Sequence, residues 1–404
     1  MDWLTGVYLF YILTSLYVTF ISLIIYYSIK HKFFEEDLEE YIPTLTVLIP
    51  AYNEEETIAS TIEAVQANDY PKDKLEIIVI DDGSKDKTAE IVKKYKDVIL
   101  FSKKNSGKAD SINQAIKKIK GEFFCIIDAD SYPEKDALRL LMRKFKDEQV
   151  AAVTGTILVK NKRNLIEKCQ AMEYVLIAWT RRLLDAVDSV FVTPGALSAY
   201  RKSAVEKVGG FDKKVMTEDI EIAWNLLKHN YKIRMDPQAH AFTSVPSTVK
   251  VWWRQRVRWD IGGFQTFDKH RKAMFKTNYN MFGVFVIPFF LSHIVLSFTG
   301  FFVFLYVLLK QLYNWVVFTF LSIETDSQVF DLSEIYLLPN VFTYFAVVLV
   351  FLFGYSIYLS LKTLKKAEIK IDLSFFVYTL FYLATFPILL IISVYKWKKG
   401  YSKW

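Results

Sequence analysis

The sequence predicts an α/β domain facing water, carried by about four transmembrane α-helices, with interfacial amphipathic helices between the two parts. Three observations predict it. Hydrophobic residues make up 52% of the 404-residue chain while 24% is charged, a pairing expected when apolar spans and a water-facing part are segregated. Four long stretches carry no charged side chain. Between the first and second of these, strand-like and helix-like patterns alternate, and strand-like runs end in polar or acidic clusters.

The composition also excludes several classes. There is ample apolar surface to offset the entropy of ordering, so the chain is not disordered. Cys125 and Cys169 are the only cysteines and form no CxxC, which excludes a disulfide scaffold. With five scattered histidines, they also give no zinc or redox site, and His240 and His270 receive no ligand role. The net charge of +7 is modest. It suits a surface lying against anionic lipid, whereas a nucleic-acid partner would demand a basic stripe.

Residues 1–32 are expected to form an N-terminal anchor. Trp3 to Ile29 carries no charge, and at 1.5 Å per residue it exceeds the roughly 30 Å hydrocarbon core. A cleaved signal would have a basic start and a shorter apolar stretch, whereas this one begins Met1-Asp2. Lys30, His31 and Lys32 follow at once and place the C-terminal end of the span in the cytoplasm.

A domain is expected over 43–245. Thr44 to Pro50 is a β-rich run, and Leu75 to Ile80 is apolar apart from Glu76, as expected of a strand buried on both faces. A weaker strand covers Val98 to Phe101 and a further one Phe123 to Ile127, with helices from about Thr88 and over Ala109 to Ile119. This order predicts an open parallel sheet, whose ligands bind beyond the carboxyl ends of the strands. Residues 246–276 are expected to be amphipathic and interfacial, with Trp252, Trp253 and Trp259 beside Lys250, Arg254 and Arg256.

Three more spans are expected at 281–310, 335–361 and 373–395. The connection from Gln311 to Glu334 carries Glu324, Asp326, Asp331 and Glu334 but no Lys or Arg, and belongs outside; the loop with Lys362, Lys365, Lys366 and Lys370 belongs inside. Four spans leave Lys396, Lys398, Lys399 and Lys403 outside, against the charge rule. A hairpin hidden in 281–323 would bring that tail inside but send the Lys362 loop out. Four spans remain the expectation.

The strand-end clusters carry the candidate chemistry. Asp128 and Asp130, two carboxylates two residues apart after a buried strand, are hard oxygen ligands suited to Mg2+ or Mn2+ together with diphosphate oxygens; a solvated turn would use the same residues. Asp81-Asp82-Gly83-Ser84 serves equally as an Asx turn or as a carboxylate offered to a nucleobase or ribose. Asn105-Ser106-Gly107-Lys108 adds a cation near the same rim. Gln255, Arg258 and Trp259 stand at i, i+3 and i+4, one face of a helix. Arg258 suits a diphosphate and Trp259 the flat face of a sugar ring.

Six segments occur in one order: Pro50-Ala51-Tyr52-Asn53-Glu54-Glu55, Asp81-Asp82-Gly83-Ser84, Gly107-Lys108-Ala109, Asp128-Ala129-Asp130, Thr217-Glu218-Asp219 and Gln255-Arg256-Val257-Arg258-Trp259. That set resembles glycosyltransferase family 2, and within it the membrane branch that includes cellulose, hyaluronan and poly-N-acetylglucosamine synthases. The resemblance covers about residues 46–259. It implies a GT-A-like, Rossmann-like cytoplasmic domain. It also implies roles by position: Tyr52, Glu54, Asp82, Lys108, Asp128 and Arg258 for the donor, Asp130 for Mg2+ or Mn2+, and Asp219 as general base. Gln255, Trp259 and Gly195 fall where such enzymes meet the acceptor, although Pro194 departs from the usual small-residue loop.

The function this implies is inverting, metal-dependent transfer of a hexose from a nucleoside diphosphate sugar, a UDP-sugar or GDP-mannose. The acceptor would be a lipid-linked glycan or growing polysaccharide at the cytoplasmic face of the cell membrane, with membrane lipid as a further partner. Polyprenyl-phosphate glycosylation is an alternative that the QxxRW pattern weighs against. A transporter with a nucleotide-sugar-sensing domain would need ionisable residues within its spans, where only His293 is found. A dead interaction protein should have lost Asp130, Asp219 or Arg258, and all three are present.

Overall fold

The computed structural model describes residues 3–33, 39–325, 341–369 and 373–401. The chain divides into two compact units, residues 1–24 with 291–359 and residues 25–290 with 360–404.

The larger unit is built on an eight-stranded sheet ordered β3-β2-β1-β4-β7-β6-β8-β5. Its first half matches expectation: β1 (Leu45–Ala51), β2 (Leu75–Asp81), β3 (Ile99–Ser102) and β4 (Phe123–Ile126) are parallel. The second half does not. β7 (Ser198–Arg201) runs antiparallel to both β4 and β6 (Val150–Val159), and β5 (Ser131–Pro133) runs antiparallel to β8 (Lys232–Thr243). The sheet is therefore mixed.

Alternation along β1 assigns its two faces. Val47 and Ile49 meet Ile58, Ile62 and Val65 of α2 (Ile58–Gln66), while Leu48 joins the opposite core with Ile112 and Ile116 of α4 (Lys108–Ile116). Between these helices lies the short α3 (Thr88–Val92), and α5 (Ala137–Arg143) follows β5. The long α6 (Leu165–Asp185) opens with a capping box of Asn164 and Glu167, after which come α7 (Lys202–Lys207) and α8 (Glu218–Lys228). Helix α8 buries Ile222 and Trp224 in the core shared with α4.

The expected amphipathic region is one helix, α9 (Val249–His270). Trp252 is fully buried against Phe381 of α12 (Leu373–Lys398), and Arg256 is also buried, so neither faces a lipid surface. Ser393 Oγ donates to Asp260 Oδ2 at 3.0 Å across the same interface.

The smaller unit holds most of α1 (Trp3–Ile29), of α10 (Ile287–Glu324) and of α11 (Val341–Thr363). Tyr11 Oη donates to the Leu296 carbonyl at 2.9 Å, and the Trp3 and Tyr306 rings are 5.3 Å apart. Among the described residues two helices are long and apolar enough to cross a membrane, Trp3–Lys32 and Phe282–Glu324. The second corrects the expected break at Gln311. One exposed Lys310 does not end a helix in an apolar run, because its long stem carries the charge away from the axis. The 38 residues of α10 extend about 57 Å at 1.5 Å each, with no hairpin inside. The acidic connection at Asp326, Asp331 and Glu334, together with Lys370 and Lys403, lies outside the described residues.

Candidate active site

Because β2, β1 and β4 are adjacent and parallel, their carboxyl ends bring Asp81–Ser84, Tyr52–Glu55 and Asp128–Asp130 to one edge. Tyr52 is exposed at the rim. Glu54 starts the turn into α2, its carbonyl accepting from the N–H of Thr57 and of Ile58, and Thr57 Oγ1 donates to Glu54 Oε2 at 2.9 Å.

Of the two uses expected of the β2 turn, the structure shows the Asx turn. Asp81 Oδ1 accepts the Ser84 N–H at 2.9 Å, the Asx turn. Asp82 holds the 103–107 loop: Oδ1 accepts from Lys103 Nζ at 2.5 Å and from the Ser106 N–H at 2.9 Å, and Oδ2 from the Gly107 N–H at 2.8 Å. Lys103 was not foreseen as its counter-ion. Gly107 has φ +90°, open to glycine at little cost, and leads directly into α4.

Lys108 lies at the centre of the crevice. Its ammonium is 2.5 Å from Asp128 Oδ1 and 3.1 Å from Glu218 Oε1. Burial opposes its charge, but Asp128 and Glu218 overcome this and hold its pKa well above the usual lysine range. Gly195 lies against this pair: a Cβ there would fall 2.6 Å from Lys108 Nζ and 2.8 Å from Asp128 Oδ1. Its carbonyl accepts the Asp128 N–H at 3.0 Å.

Burial, then the neighbouring carboxylates of Asp128 and Glu54, push Asp130 up to about 6. That surplus negative charge fits a divalent cation. Among the described residues no three or more His, Cys, Asp or Glu side chains gather closely enough to hold a metal by themselves. A two-carboxylate contribution completed by diphosphate oxygens and water is the usual Mg2+ arrangement.

Asp219 is the second residue of α8; Thr217 takes the N-cap position without a side-chain cap bond. The Asp219 carbonyl accepts from Thr193 Oγ1 at 2.9 Å, and its Oδ1 accepts the Ile220 N–H at 3.0 Å. Burial and then Glu218 push its carboxyl up to about 6, against the pull of Lys108 and Arg258. Arg258 of α9 thus shares one electrostatic field with Lys108 and Asp219. The buried Arg181 of α6, also unforeseen, is brought down to about 10 by burial, with Asp219 opposing.

The face of α9 is organised by Arg256, which sequence reasoning had placed only among lipid-facing cations. It pairs with Glu173 of α6, donates to Gln255 Oε1 at 2.9 Å, and lies 4.0 Å from the centroid of the Trp259 ring. A usable signal existed: Trp252, Arg256 and Trp259 recur at i, i+4 and i+7, one stripe of a helix. His270 is structural, 3.1 Å from Glu221 Oε1 in the core beneath α8.

Known proteins resemble this chain. Poly-beta-1,6-N-acetyl-D-glucosamine synthase of Staphylococcus aureus (strain COL) is 36% identical over 239 residues, 58% of each protein. The Staphylococcus epidermidis protein of the same name is 34% identical over 253 residues, 60% of this chain and 61% of that one. The match therefore spans less than two thirds of these relatives. A mannosyltransferase from Pyrobaculum calidifontis, solved in complex with GDP-Man and Mn2+, superposes with a TM-score of 0.51 at 25% identity, covering 65% of this chain and 75% of that one. The family model described as Glycosyl transferase family 2 matches residues 46–209, which hold β1 to β4, both strand-end aspartate pairs, Lys108 and Gly195. Over residues 46–209, less than half of its length, this chain is therefore similar to glycosyl transferase family 2.

Proposed function

We propose that this protein is an inverting, metal-dependent membrane glycosyltransferase that moves a hexose from a nucleoside diphosphate sugar onto a growing polysaccharide or lipid-linked glycan. The carrying observation is the position of Asp219: a buried carboxylate at about 6, in the field of Lys108 and Arg258, beside the crevice at the carboxyl ends of β1, β2 and β4. A base near that value is ionised at neutral pH yet basic enough to accept a proton from a hydroxyl being alkylated.

Tyr52, Glu54 and the Asp82-held loop would receive the nucleoside, and Lys108 with Arg258 the diphosphate. Asp128 and Asp130 would hold Mg2+ or Mn2+, which when bound neutralises the leaving diphosphate. Gly195, packed against the Lys108–Asp128 pair, would lie beside the acceptor. Gln255 and Trp259, fixed by Arg256, present the acceptor. Asp219 takes the hydroxyl proton as the acceptor oxygen bonds to the anomeric carbon from the face opposite the diphosphate. The bond from that carbon to the diphosphate oxygen breaks, and configuration inverts.

The printed names of the staphylococcal relatives favour a polysaccharide product, and the complex of the archaeal relative favours a nucleotide sugar with a divalent cation. We place the catalytic domain in the cytoplasm and count four spans, with α11 and α12 joining the two long apolar helices. Purified full-length protein offered UDP-N-acetylglucosamine, UDP-glucose and GDP-mannose with Mg2+ or Mn2+ should release nucleoside diphosphate from one of them, together with a growing glycan. Release that requires a polyprenyl phosphate, and stops after one sugar, would replace the polysaccharide reading; no release from any donor would overturn both.

A further inference from the structure

Arg181 of α6 is 8% exposed, and its Nη1 donates to the Gly155 carbonyl of β6 at 3.5 Å, a long contact for a guanidinium. Its neighbour Arg182 pairs with Asp185 at 2.5 Å, whereas among the described residues no carboxylate forms an ion pair with Arg181. Arginine presents five N–H donors and keeps its charge, so a buried one needs a compensating anion. Burial brings Arg181 down to about 10, and the charge that first opposes this is that of Asp219.

A chain of contacts links the two residues. Gly155 donates from its N–H to the Leu197 carbonyl at 3.1 Å, and Leu197 from its N–H to the Pro194 carbonyl at 3.3 Å. Thr193, next to Pro194, donates from Oγ1 to the Asp219 carbonyl at 2.9 Å. The strand that receives Arg181 thus holds the 193–197 loop, and that loop holds the start of α8. The other charges that face Asp219 are Glu218 of α8 itself, Asp128 after β4, Lys108 of α4 and Arg258 of α9, and the buried phenol of Tyr200 in β7 shares their field. On α6, Tyr174 is the further group that acts on Arg181.

Lys108 is already divided between Asp128 and Glu218, at 2.5 and 3.1 Å. Once a donor diphosphate sits on Lys108 and Arg258, both cations are shared with it and act less on Asp219. Arg181 is assigned no part of the donor, and the low dielectric of a buried site lets its charge act beyond hydrogen-bond distance. Given Asp219 as the base of the reaction above, on which this rests, we propose that Arg181 is a positioning residue for transfer, whose guanidinium keeps the Asp219 carboxylate ionised while the donor occupies Lys108 and Arg258.

The test compares the full-length wild type with Arg181→Met, which removes the charge at similar length, and Arg181→Lys, which keeps it; Arg181→Gln serves where Arg181→Met does not fold. The acid limb of kcat reports the base in the enzyme–substrate complex. With whichever of the three donors the wild type uses, Arg181→Met should move that limb up by about one pH unit, or about tenfold in turnover below the midpoint, the low end for removing a neighbouring opposite charge. Nucleotide affinity should stay at the wild-type value, and Arg181→Lys should keep the wild-type limb. A loss equal at every pH, or a limb that moves as far in Arg181→Lys, would overturn the proposal. Unfolding scans from pH 4 to 8 without donor read the same carboxyl in the absence of turnover. The window in which Tm falls should rise by about one pH unit in Arg181→Met, because a higher folded-state value carries the stabilisation to higher pH. In the Asp219→Asn background, Arg181→Met should not move the window. A window that stays in place in Arg181→Met alone would overturn the proposal even where transfer is found. A window that moves in a protein that turns over none of the three donors would leave the coupling of Arg181 to Asp219 standing and overturn the transfer reading.

Discussion

Thr217 and Gly262 are packed so closely that no other residue fits at 262: a Cβ there would fall 2.7 Å from Thr217 Cβ, 2.6 Å from its Cγ2, and closer still to its hydroxyl. This contact sets the N-terminus of α8, and with it Asp219, directly on α9, which carries Gln255, Arg258 and Trp259. The proposed base and the helix proposed to bind diphosphate thus meet at one glycine.

Gly262→Ala should therefore separate them. Forcing a methyl into a filled contact costs about 1–3 kcal/mol. Tm should fall, and transfer should fall further than nucleotide binding, because Asp219 moves while the 46–209 domain remains. Unchanged turnover at normal Tm would show that the crevice does not depend on this contact.

Asp219→Asn should fold, bind donor and lose transfer by roughly 10²- to 10⁴-fold, since an amide does not accept the proton. Near-normal turnover would leave Asp219 as a helix-terminus residue that accepts the Ile220 N–H.

The pH dependence follows from the same group. A base raised to about 6 is protonated below that value, so transfer in the wild type should fall as pH drops through 6. Stability moves the other way. A raised carboxyl favours the folded state fully below the ordinary aspartate value near 4, and this contribution is lost as pH climbs through 6. Unfolding scans from pH 4 to 8 without donor should show Tm falling over that window, and Asp219→Asn should flatten the fall. A rate that holds steady down to pH 5 would exclude Asp219 as the base.

Arg258 and Arg256, two residues apart, should fail differently. Arg258→Ala removes the proposed charged contact to diphosphate, worth about 1.5–3 kcal/mol, and should lower kcat/KM further than its effect on Tm accounts for. Arg256→Ala removes the pair with Glu173 and the contacts to Gln255 and Trp259, so it should lower Tm. The same loss of Tm in both variants would contradict the division.

Mn2+ should raise the Tm of the wild type and not of Asp130→Asn. Binding of the cation by Asp130→Asn with unaltered affinity, in calorimetry without donor, would remove Asp130 from the metal site.

The local part of this protein was decided by its sequence. β1, β2 and β4 are largely buried on both faces and so read as mostly apolar runs, and each ends where polar residues begin, which placed Tyr52–Glu55, Asp81–Ser84 and Asp128–Asp130 at one edge. Charge-free length marked α1 and α10 for the same reason: periodicity and hydropathy are properties of neighbours along the chain. What the sequence missed is the pairing of distant residues. Lys103 with Asp82, Glu218 with Lys108, Glu173 with Arg256 and Thr217 with Gly262 join different elements, and each depends on how those elements pack. β7 was missed because four residues carry too little pattern, and its antiparallel direction is set by the strands on either side. Only tertiary packing decided that Trp252 and Arg256 face protein and not lipid, because an amphipathic stripe shows that a face is buried and leaves open what buries it.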